Sequence, residues 1–314
     1  MSDNTILRLL ESAARRRETL ARVTDALRLV DGAGDGMDGL VLERYGRHFS
    51  AQVFDRRWLD KSDILTAFLK EHFGALYFIV KDRSGRASPE DFGKLLWLNE
   101  APAAAVVREN GLNFSVDLDD ALNCGLFLDM RRNRDIVSGY AAGRRVLNCF
   151  AYTCSFGVYC RARGARAAVN VDVSRKSLER GRANYRLNGL EPSRNEMIRA
   201  DAAEYLKRAP GRRNSFGLVI LDPPSFARHE NGVFSVRRDM PGLVASAIKV
   251  LEPGGCLFVS TNLSGMTKSA LTAMFKAGSA GRKFERLDSF GQDTDFTGSG
   301  TDRRGCLTTL LARF

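Results

Sequence analysis

The sequence predicts an α/β protein in which a doubly wound, largely parallel sheet follows a small α+β unit. Three observations carry that prediction. From about residue 120, apolar strand patterns alternate with helical ones, the rhythm of a parallel sheet covered on both faces. Before that point, short strand patterns and one helix crowd together without such alternation. In the later half, three strand patterns close on an acidic residue: Asp172, Asp201 and Asp222. At 314 residues the chain is long enough for two units, each with its own core.

Ile6, Leu9, Leu10, Ala13, Leu20 and Val23 fall near helical spacing and predict an amphipathic helix over 5–24. Strand patterns follow at 26–30, 39–46 and 48–55, punctuated by the glycine-rich turn at 31–39. A helix near 60–72 and a strand at 75–82 come next; 83–91 reads as a loop, and 103–110 with 111–118 as a hairpin. These elements make 25–118 a small α+β accessory domain after an N-terminal helix at 1–24, and leave 119–314 for the larger sheet. Its strands are expected at 144–150, 165–173, 195–201, 216–224 and 254–262. Helices fit at 156–163, 175–187, 202–208 and 236–251, and an antiparallel pair closes the chain.

Composition removes several classes of function. Hydrophobic residues at 44% and charged residues at 27% exclude a disordered chain. No apolar run approaches the ~20 residues of a membrane span, and the first twenty residues lack the basic-then-apolar order of a signal peptide. The expectation is a cytoplasmic protein with no membrane partner, a monomer or a homodimer. Six cysteines, at 124, 149, 154, 160, 256 and 306, form no Cys-x-x-Cys pair, and the three histidines lie far apart. Structural zinc needs four such ligands closely spaced, so no metal is expected.

The net charge of +11 is unevenly placed. Residues 131–213 carry 19 basic against 7 acidic side chains, whereas 1–130 carry 17 against 21. Arginine supplies 38 of the 48 basic residues, and its planar fork suits phosphate oxygens. Solvated helix faces account for part of this block. An excess of that size favours a polyanionic partner, most simply RNA.

Ligands of doubly wound sheets bind beyond the carboxyl ends of the strands. Those ends read Asn148-Cys149-Phe150-Ala151-Tyr152-Thr153-Cys154-Ser155, then Asp172-Val173-Ser174, Asp201-Ala202, and Asp222-Pro223-Pro224-Ser225-Phe226. A dinucleotide would need a glycine-rich turn for its pyrophosphate. The one Gly-x-Gly-x-Gly, at Gly32–Gly36, precedes a strand pattern and reads as a turn. S-adenosyl-L-methionine carries no phosphate, so small residues after the first strand suffice for it. Asp172 is then placed to accept from the ribose hydroxyls and Asp201 from the adenine amino group. The two prolines after Asp222 fix φ and remove two N–H donors, which turns carbonyl oxygens toward whatever sits beside the methyl donor. Phe226 can stack on an extruded base.

These residues resemble the class I methyltransferases that modify large-subunit (23S) ribosomal RNA, in the related cytosine-C5 and guanine-N7 branches. The resemblance runs from about Asp35 to the C-terminus. It includes Asp38-Gly39-Leu40-Val41, Glu109-Asn110-Gly111, Gly125-Leu126-Phe127-Leu128-Asp129-Met130-Arg131-Arg132-Asn133-Arg134, Asn170-Val171-Asp172-Val173-Ser174 and Leu221-Asp222-Pro223-Pro224-Ser225-Phe226. It implies a Rossmann-like class I methyltransferase sheet, and places Phe127, Asp129, Arg131 and Arg134 in the donor pocket. It also assigns Asp172 to ribose, Asp201 to adenine and Asp222 to the reaction site. There are departures. Nothing before residue 25 resembles the PUA-type domain that usually opens cytosine-C5 members. The family's Thr-Gly is Thr153-Cys154 here, and its Thr-Gly-Phe-Phe is Asn123-Cys124-Gly125-Leu126-Phe127. The C5 branch's Ser-Cys-Ser after the fifth strand is Ser260-Thr261-Asn262-Leu263-Ser264, and Val233–Asp239 looks more like the N7 branch.

Three functions are therefore weighed: an RNA methyltransferase acting on ribosomal RNA, a methyltransferase for a protein or small molecule, and an RNA-binding protein without activity. The basic block favours the first over the second, and intact Asp172, Asp201 and Asp222 favour it over the third. Within the first, cytosine C5 requires a cysteine thiolate near the fourth or fifth strand end. Those ends offer Ser225 and Asn262, so a ring nitrogen such as guanine N7 is expected.

Overall fold

The computed structural model describes residues 1–85, 93–120, 123–209, 215–229, 232–298 and 307–314. The chain divides into Met1–Asp129 with Asp293–Asp302, and Met130–Gln292 with Arg303–Phe314. Packing thus carries the first unit beyond residue 118 and adds a returning segment from near the C-terminus. Most of the loop expected at 83–91 lies outside the described residues, as does Cys306.

In the first unit, the Ser2 hydroxyl caps α1 (Asp3–Arg16) by accepting from Thr5 N. The helix expected over 5–24 is broken at Arg17, and only the short α2 (Glu18–Ala21) continues it. The cause is Arg17 itself, whose guanidinium is 2% exposed and turned inward. Five strands follow: β1 (Ala26–Asp31), β2 (Leu40–Tyr45), β3 (His48–Val53), β4 (Tyr77–Asp82) and β5 (Lys94–Asn99). They pair in that order, antiparallel except for β3 and β4, which run parallel across the connecting α3 (Ser62–Phe73). Strand periodicity puts Leu40, Leu42, Phe49, Ala51, Val53, Phe78 and Val80 on one face, against Ile6, Leu10, Leu65 and Phe68. The sequence analysis passed over β5, an edge strand whose Leu-Leu-Trp-Leu run lacks alternation. The hairpin appears as β6 (Ala104–Glu109) and β7 (Leu112–Asp117). Asn110 and Gly111, at φ 49° and 82°, make the left-handed turn that such two-residue hairpins need.

The Gly32–Asp35 segment is a single 3-10 turn, and its role is electrostatic. Asp35 is fully buried and accepts from both terminal nitrogens of Arg17 at 2.7 Å. It also accepts from Arg16 at 2.5 Å and from the Asp31 amide at 2.6 Å. The returning segment docks on the same cluster. Arg17 donates to Asp295 O at 2.8 Å, Asp295 Oδ2 accepts from Arg28 N at 2.9 Å, and the Arg28 guanidinium lies 4.2 Å over the Phe296 ring. Gly34 is required there, because a Cβ would fall 2.4 Å from Thr297 Oγ1.

The second unit opens with α4 (Arg131–Ser138) and builds β8 (Arg145–Cys149), α5 (Ser155–Ala162), β9 (Ala167–Asp172), α6 (Arg175–Leu187), β10 (Met197–Arg199) and α7 (Ala202–Arg208). Then come β11 (Phe216–Leu221), the hairpin β12 (Phe226–His229) and β13 (Gly232–Ser235), α8 (Val236–Lys249), β14 (Leu251–Thr261), α9 (Lys268–Ser279), β15 (Arg286–Asp288) and β16 (Thr308–Arg313). Seven strands form one sheet in the order β10-β9-β8-β11-β14-β16-β15. The first five and β15 run in one direction, and β16 runs antiparallel between β14 and β15. Neighbouring residues of one strand face opposite cores. Val146, Ala168, Leu218, Ile220 and Phe258 pack with Val137, Phe156 and Cys160. Leu147, Val169, Val219, Leu221, Leu257 and Val259 pack with Leu206, Leu243, Val244, Leu271 and Phe275. Burial on both faces makes each strand nearly continuously apolar. No helix among the described residues is long and apolar enough to cross a membrane.

Asp35→Ala leaves the Arg17 guanidinium buried without its anion, a loss of about 3–5 kcal/mol for a broken buried pair. Denaturant unfolding should register it in the first unit; a change below about 1 kcal/mol would show that Asp35 does not organise the cluster.

Candidate active site

Strand order reverses between β8 and β11, and the crevice at such a switch point is where doubly wound sheets bind ligands. The turn leaving β8 is built in an unusual way. Phe150, Tyr152 and Cys154 have φ of 59°, 47° and 60°, three non-glycine residues in the left-handed region, alternating along five positions. Each costs about 1–2 kcal/mol of backbone strain. Hydrogen bonds hold the turn in place. Asp172 Oδ2 accepts from Tyr152 N and Oδ1 from Ser174 N, both at 2.8 Å. Ala151 N donates to Val171 O at 3.1 Å, and Asn184 Nδ2 to Thr153 O at 3.0 Å. Two helix-interior glycines allow the approach from outside: a Cβ on Gly157 would lie 2.3 Å from Asn170 Oδ1, and one on Gly181 2.4 Å from Cys154 Sγ.

The sequence-predicted residues distribute along this rim. Asp172 ends β9 and is half-buried, so its carboxylate both fixes the turn and borders the crevice. Val173 is 54% exposed, and the Ser174 hydroxyl caps α6 by accepting from Ser177 N at 3.1 Å. Asp201 caps α7, accepting from Glu204 N at 2.9 Å. Ser155 begins α5, and Ala151 is 7% exposed. Asn148, Thr153, Cys154 and Ala202 are buried and support the rim from beneath. Asn148 Nδ2 donates to Asn170 Oδ1 at 2.9 Å, and Asn170 donates in turn to the Tyr185 hydroxyl at 3.0 Å. Arg131 and Arg134 lie on α4 at 1% exposure, Arg134 with its guanidinium 5.9 Å from the Tyr159 ring centre. Phe127 and Asp129 belong to the first unit, where Phe127 is 41% exposed.

Across the switch point, Asp222 follows β11 directly. Its Oδ1 accepts from the buried Ser260 hydroxyl at 2.6 Å. Ser260 sits on β14 one position beyond Val259, which pairs with Leu221, so the two ends lie level. Sequence reasoning missed Ser260 as the partner of Asp222. The signal available was the match of polar residues at the ends of strands four and five. Pro223 is buried and Pro224 exposed. Ser225 Oγ donates to Asn262 Oδ1 at 2.8 Å. Phe226 is 63% exposed at the start of the hairpin. Phe234, on the second strand of the hairpin, is 9% exposed and rests 6.1 Å from the Phe150 ring, so it serves the core and not base stacking.

The thiols lie elsewhere. Cys149, Cys154 and Cys160 are buried, and burial raises all three thiol pKa values, that of Cys160 to about 12. Burial also raises Cys256, against the opposing charge of Arg144, and Cys124 in the first unit. Cys149 lies opposite Leu221 in the β8–β11 ladder, one residue short of Asp222, but its side chain is buried in the core.

A parallel sheet with an antiparallel last pair, acidic strand ends and a polar, glycine-poor turn at the switch point define a class I methyltransferase. The comparisons with known proteins agree. A family model of S-adenosylmethionine-dependent methyltransferases matches residues 84–292. Ribosomal RNA large subunit methyltransferase K of Neisseria meningitidis is 35% identical over 230 residues, 70% of this chain and 64% of that protein. Ribosomal RNA large subunit methyltransferase I of Photobacterium profundum is 31% identical over 297 residues, 91% of this chain and 74% of its own. The solved structure of the methyltransferase SMU.776, a complex with SAH, superimposes with a TM-score of 0.89 at 28% identity, covering all of this chain and 82% of its own. The chain thus spans a little under two thirds of the Neisseria protein and about three quarters of the Photobacterium one. It belongs to the S-adenosylmethionine-dependent methyltransferase family that includes these large-subunit ribosomal RNA methyltransferases.

Cys149, Cys154 and Cys160 should alkylate slowly in the folded protein, since each unit of raised pKa removes tenfold of thiolate. Peptide mapping after iodoacetamide treatment at pH 8 should find them labelled at least about a hundredfold faster in denaturant. Equal rates would mean that the turn and its helices open freely.

Proposed function

We propose that the chain methylates a base of large-subunit ribosomal RNA at a ring nitrogen, guanine N7. The observation that carries the choice of atom is the rim beside Asp222, which offers Ser225, Ser260 and Asn262 and none of the described thiols. Cytosine C5 needs a thiolate added to the ring before it becomes nucleophilic, and afterwards a base to remove the C5 proton. Guanine N7 needs neither. Its lone pair lies in the base plane and carries no proton.

The donor set fits S-adenosylmethionine, which supplies an electrophilic methyl group on a positively charged sulfur. Asp172 and Asp201 offer acceptors for ribose hydroxyls and an adenine amino group. The 150–155 turn with Val173, Ser174 and Ala202 forms the wall, and Arg131 and Arg134 brace its start. Asp222, with Pro223, Pro224, Phe226 and Asn262, is assigned to the acceptor base. As the nitrogen lone pair forms the new bond, the sulfur keeps the old bonding pair, and positive charge moves onto the base. The Asp222 carboxylate, held by Ser260, stabilises that arriving charge without reorganising. No proton moves, so positioning is what the chain supplies.

RNA is supported by the names of the relatives and by the basic block. Arg163, Arg166, Arg175, Lys176, Arg186, Arg194 and Arg199 are exposed. Arg175 and Arg186 pair locally with Glu179 and Glu191, contacts weak enough at the surface for phosphate to displace. The first unit, a small α+β accessory domain, is assigned to RNA contact as well.

Two results test this reading. Asp172→Ala removes charge-assisted acceptors worth ~1.5–3 kcal/mol each, so calorimetry should show S-adenosylmethionine affinity falling at least about tenfold in a variant that retains its circular dichroism; unchanged affinity removes Asp172 from the pocket. Ribosomal RNA carrying 5-fluorocytidine should give no covalent adduct with the enzyme. An adduct abolished by changing one cysteine would establish the C5 reaction instead.

A further inference from the structure

We infer that the Ser225–Asn262 hydrogen bond selects the acceptor base by deciding which end of the Asn262 amide meets it. The inference rests on the proposal that Asp222 and Asn262 face the base. An asparagine amide is ambivalent: its oxygen accepts and its nitrogen donates, and a free side chain can rotate to present either. Here the Ser225 hydroxyl donates to Oδ1 at 2.8 Å, which leaves the NH2 group as what Asn262 offers a ligand. Asp222, an acceptor engaged through Oδ1 by Ser260, stands one strand away.

Ser225 O accepts from Val236 N at 3.3 Å, tying it to the end of the hairpin. The residues around Asn262 form a turn in which Leu263 N donates to the buried Thr261 hydroxyl at 3.2 Å and Met266 N to Leu263 O at 3.0 Å. These bonds hold the flanking backbone, and the Ser225 hydroxyl orients the exposed amide.

A fixed donor discriminates among bases by the group next to the methylated atom. Guanine N7 is flanked by the O6 carbonyl, an acceptor, which the Asn262 amide matches. Adenine N7 is flanked by the N6 amino group and cytosine C5 by the N4 amino group, both donors. Set against Asn262, each would bring two donors face to face, a mismatch that hydrogen-bonding sites reject. Ser225 is a positioning residue in this scheme: it acts on the base only through Asn262.

The test uses the full-length enzyme, radiolabelled S-adenosylmethionine and in vitro transcripts of 23S ribosomal RNA. Transcripts are made with guanosine, with 7-deazaguanosine, or with 6-thioguanosine, which pairs as guanine and keeps N7 but replaces the O6 acceptor by a weakly accepting sulfur. Wild-type enzyme should label guanosine transcripts at least about tenfold better than 6-thioguanosine transcripts. Ser225→Ala, which frees the amide to turn, and Asn262→Asp, which offers acceptors alone, should bring that ratio down to about threefold or less. Ser225→Thr, which keeps the hydroxyl, should restore it. Calorimetric affinity for S-adenosylmethionine should stay within about twofold throughout, a result that general damage to the rim would not give. An undiminished ratio in both Ser225→Ala and Asn262→Asp overturns the inference, and a ratio lowered in Asn262→Asp but not in Ser225→Ala overturns the role of Ser225. Label persisting on 7-deazaguanosine transcripts overturns the N7 assignment on which the inference rests.

Discussion

Asp172 accepts from Tyr152 N and Ser174 N with its two carboxylate oxygens, and the crevice takes its form from that bridge. Together with the Ala151–Val171 bond, it offsets the strain of three left-handed residues in five. The carboxylate also ties the start of α6 to the turn that opens α5, so two helices are set by one side chain. Asn184, just under one turn further along α6 from Gly181's contact with Cys154, completes the clasp by donating to Thr153 O. A ligand that bonds Asp172 therefore binds a group already held in place, which lowers the ordering cost of binding.

The departure from the family pattern at Thr153-Cys154 takes on physical sense in this setting. Position 154 has φ 60°, where glycine pays no steric cost and cysteine does. Cysteine offsets that cost by filling space. Its sulfur packs against Gly181, where a Cβ would collide at 2.4 Å, and it lies 3.8 Å from the Met197 sulfur. The side chain is fully buried, and burial keeps its thiol protonated. A soft, polarizable group suits such an irregular gap. The same burial removes Cys154 from chemistry, although it stands at the mouth of the sheet.

Much of this architecture is legible in the sequence. The parallel strands were placed to within a few residues because burial on both faces makes them continuous apolar runs, and α6 was bounded correctly by Ser174 before it and Asn188-Gly189 after it. What stayed hidden has identifiable causes. The inward face of α4 is Arg131, Asn133 and Arg134, so the apolar periodicity that betrays a helix is missing. The helix expected over 5–24 breaks because Arg17 finds Asp35, a partner 18 residues away that no local pattern announces. The edge strand β5 shows four apolar residues in a row, with no alternation to mark it. At the site, the acidic strand ends were visible one by one. The tethers from Ser260 and Ser225 were not, because they join residues 38 and 37 positions apart.

Electrostatics divides the second unit in a way that fits its chemistry. Most of the basic excess of 131–213 is carried on helix faces and loops, while β9 ends on Asp172 and Asp222 follows β11. In the proposed reaction, transfer of a methyl group from a sulfonium to a neutral ring nitrogen begins and ends with one positive charge, displaced by the length of two bonds. A rim lined with arginine would oppose that charge at both positions. Under that proposal, carboxylates at the ends of β9 and β11 stabilise it at each, with Asp222 positioned by the Ser260 hydroxyl. The exposed arginines of the helix faces would steer a polyanion toward the unit.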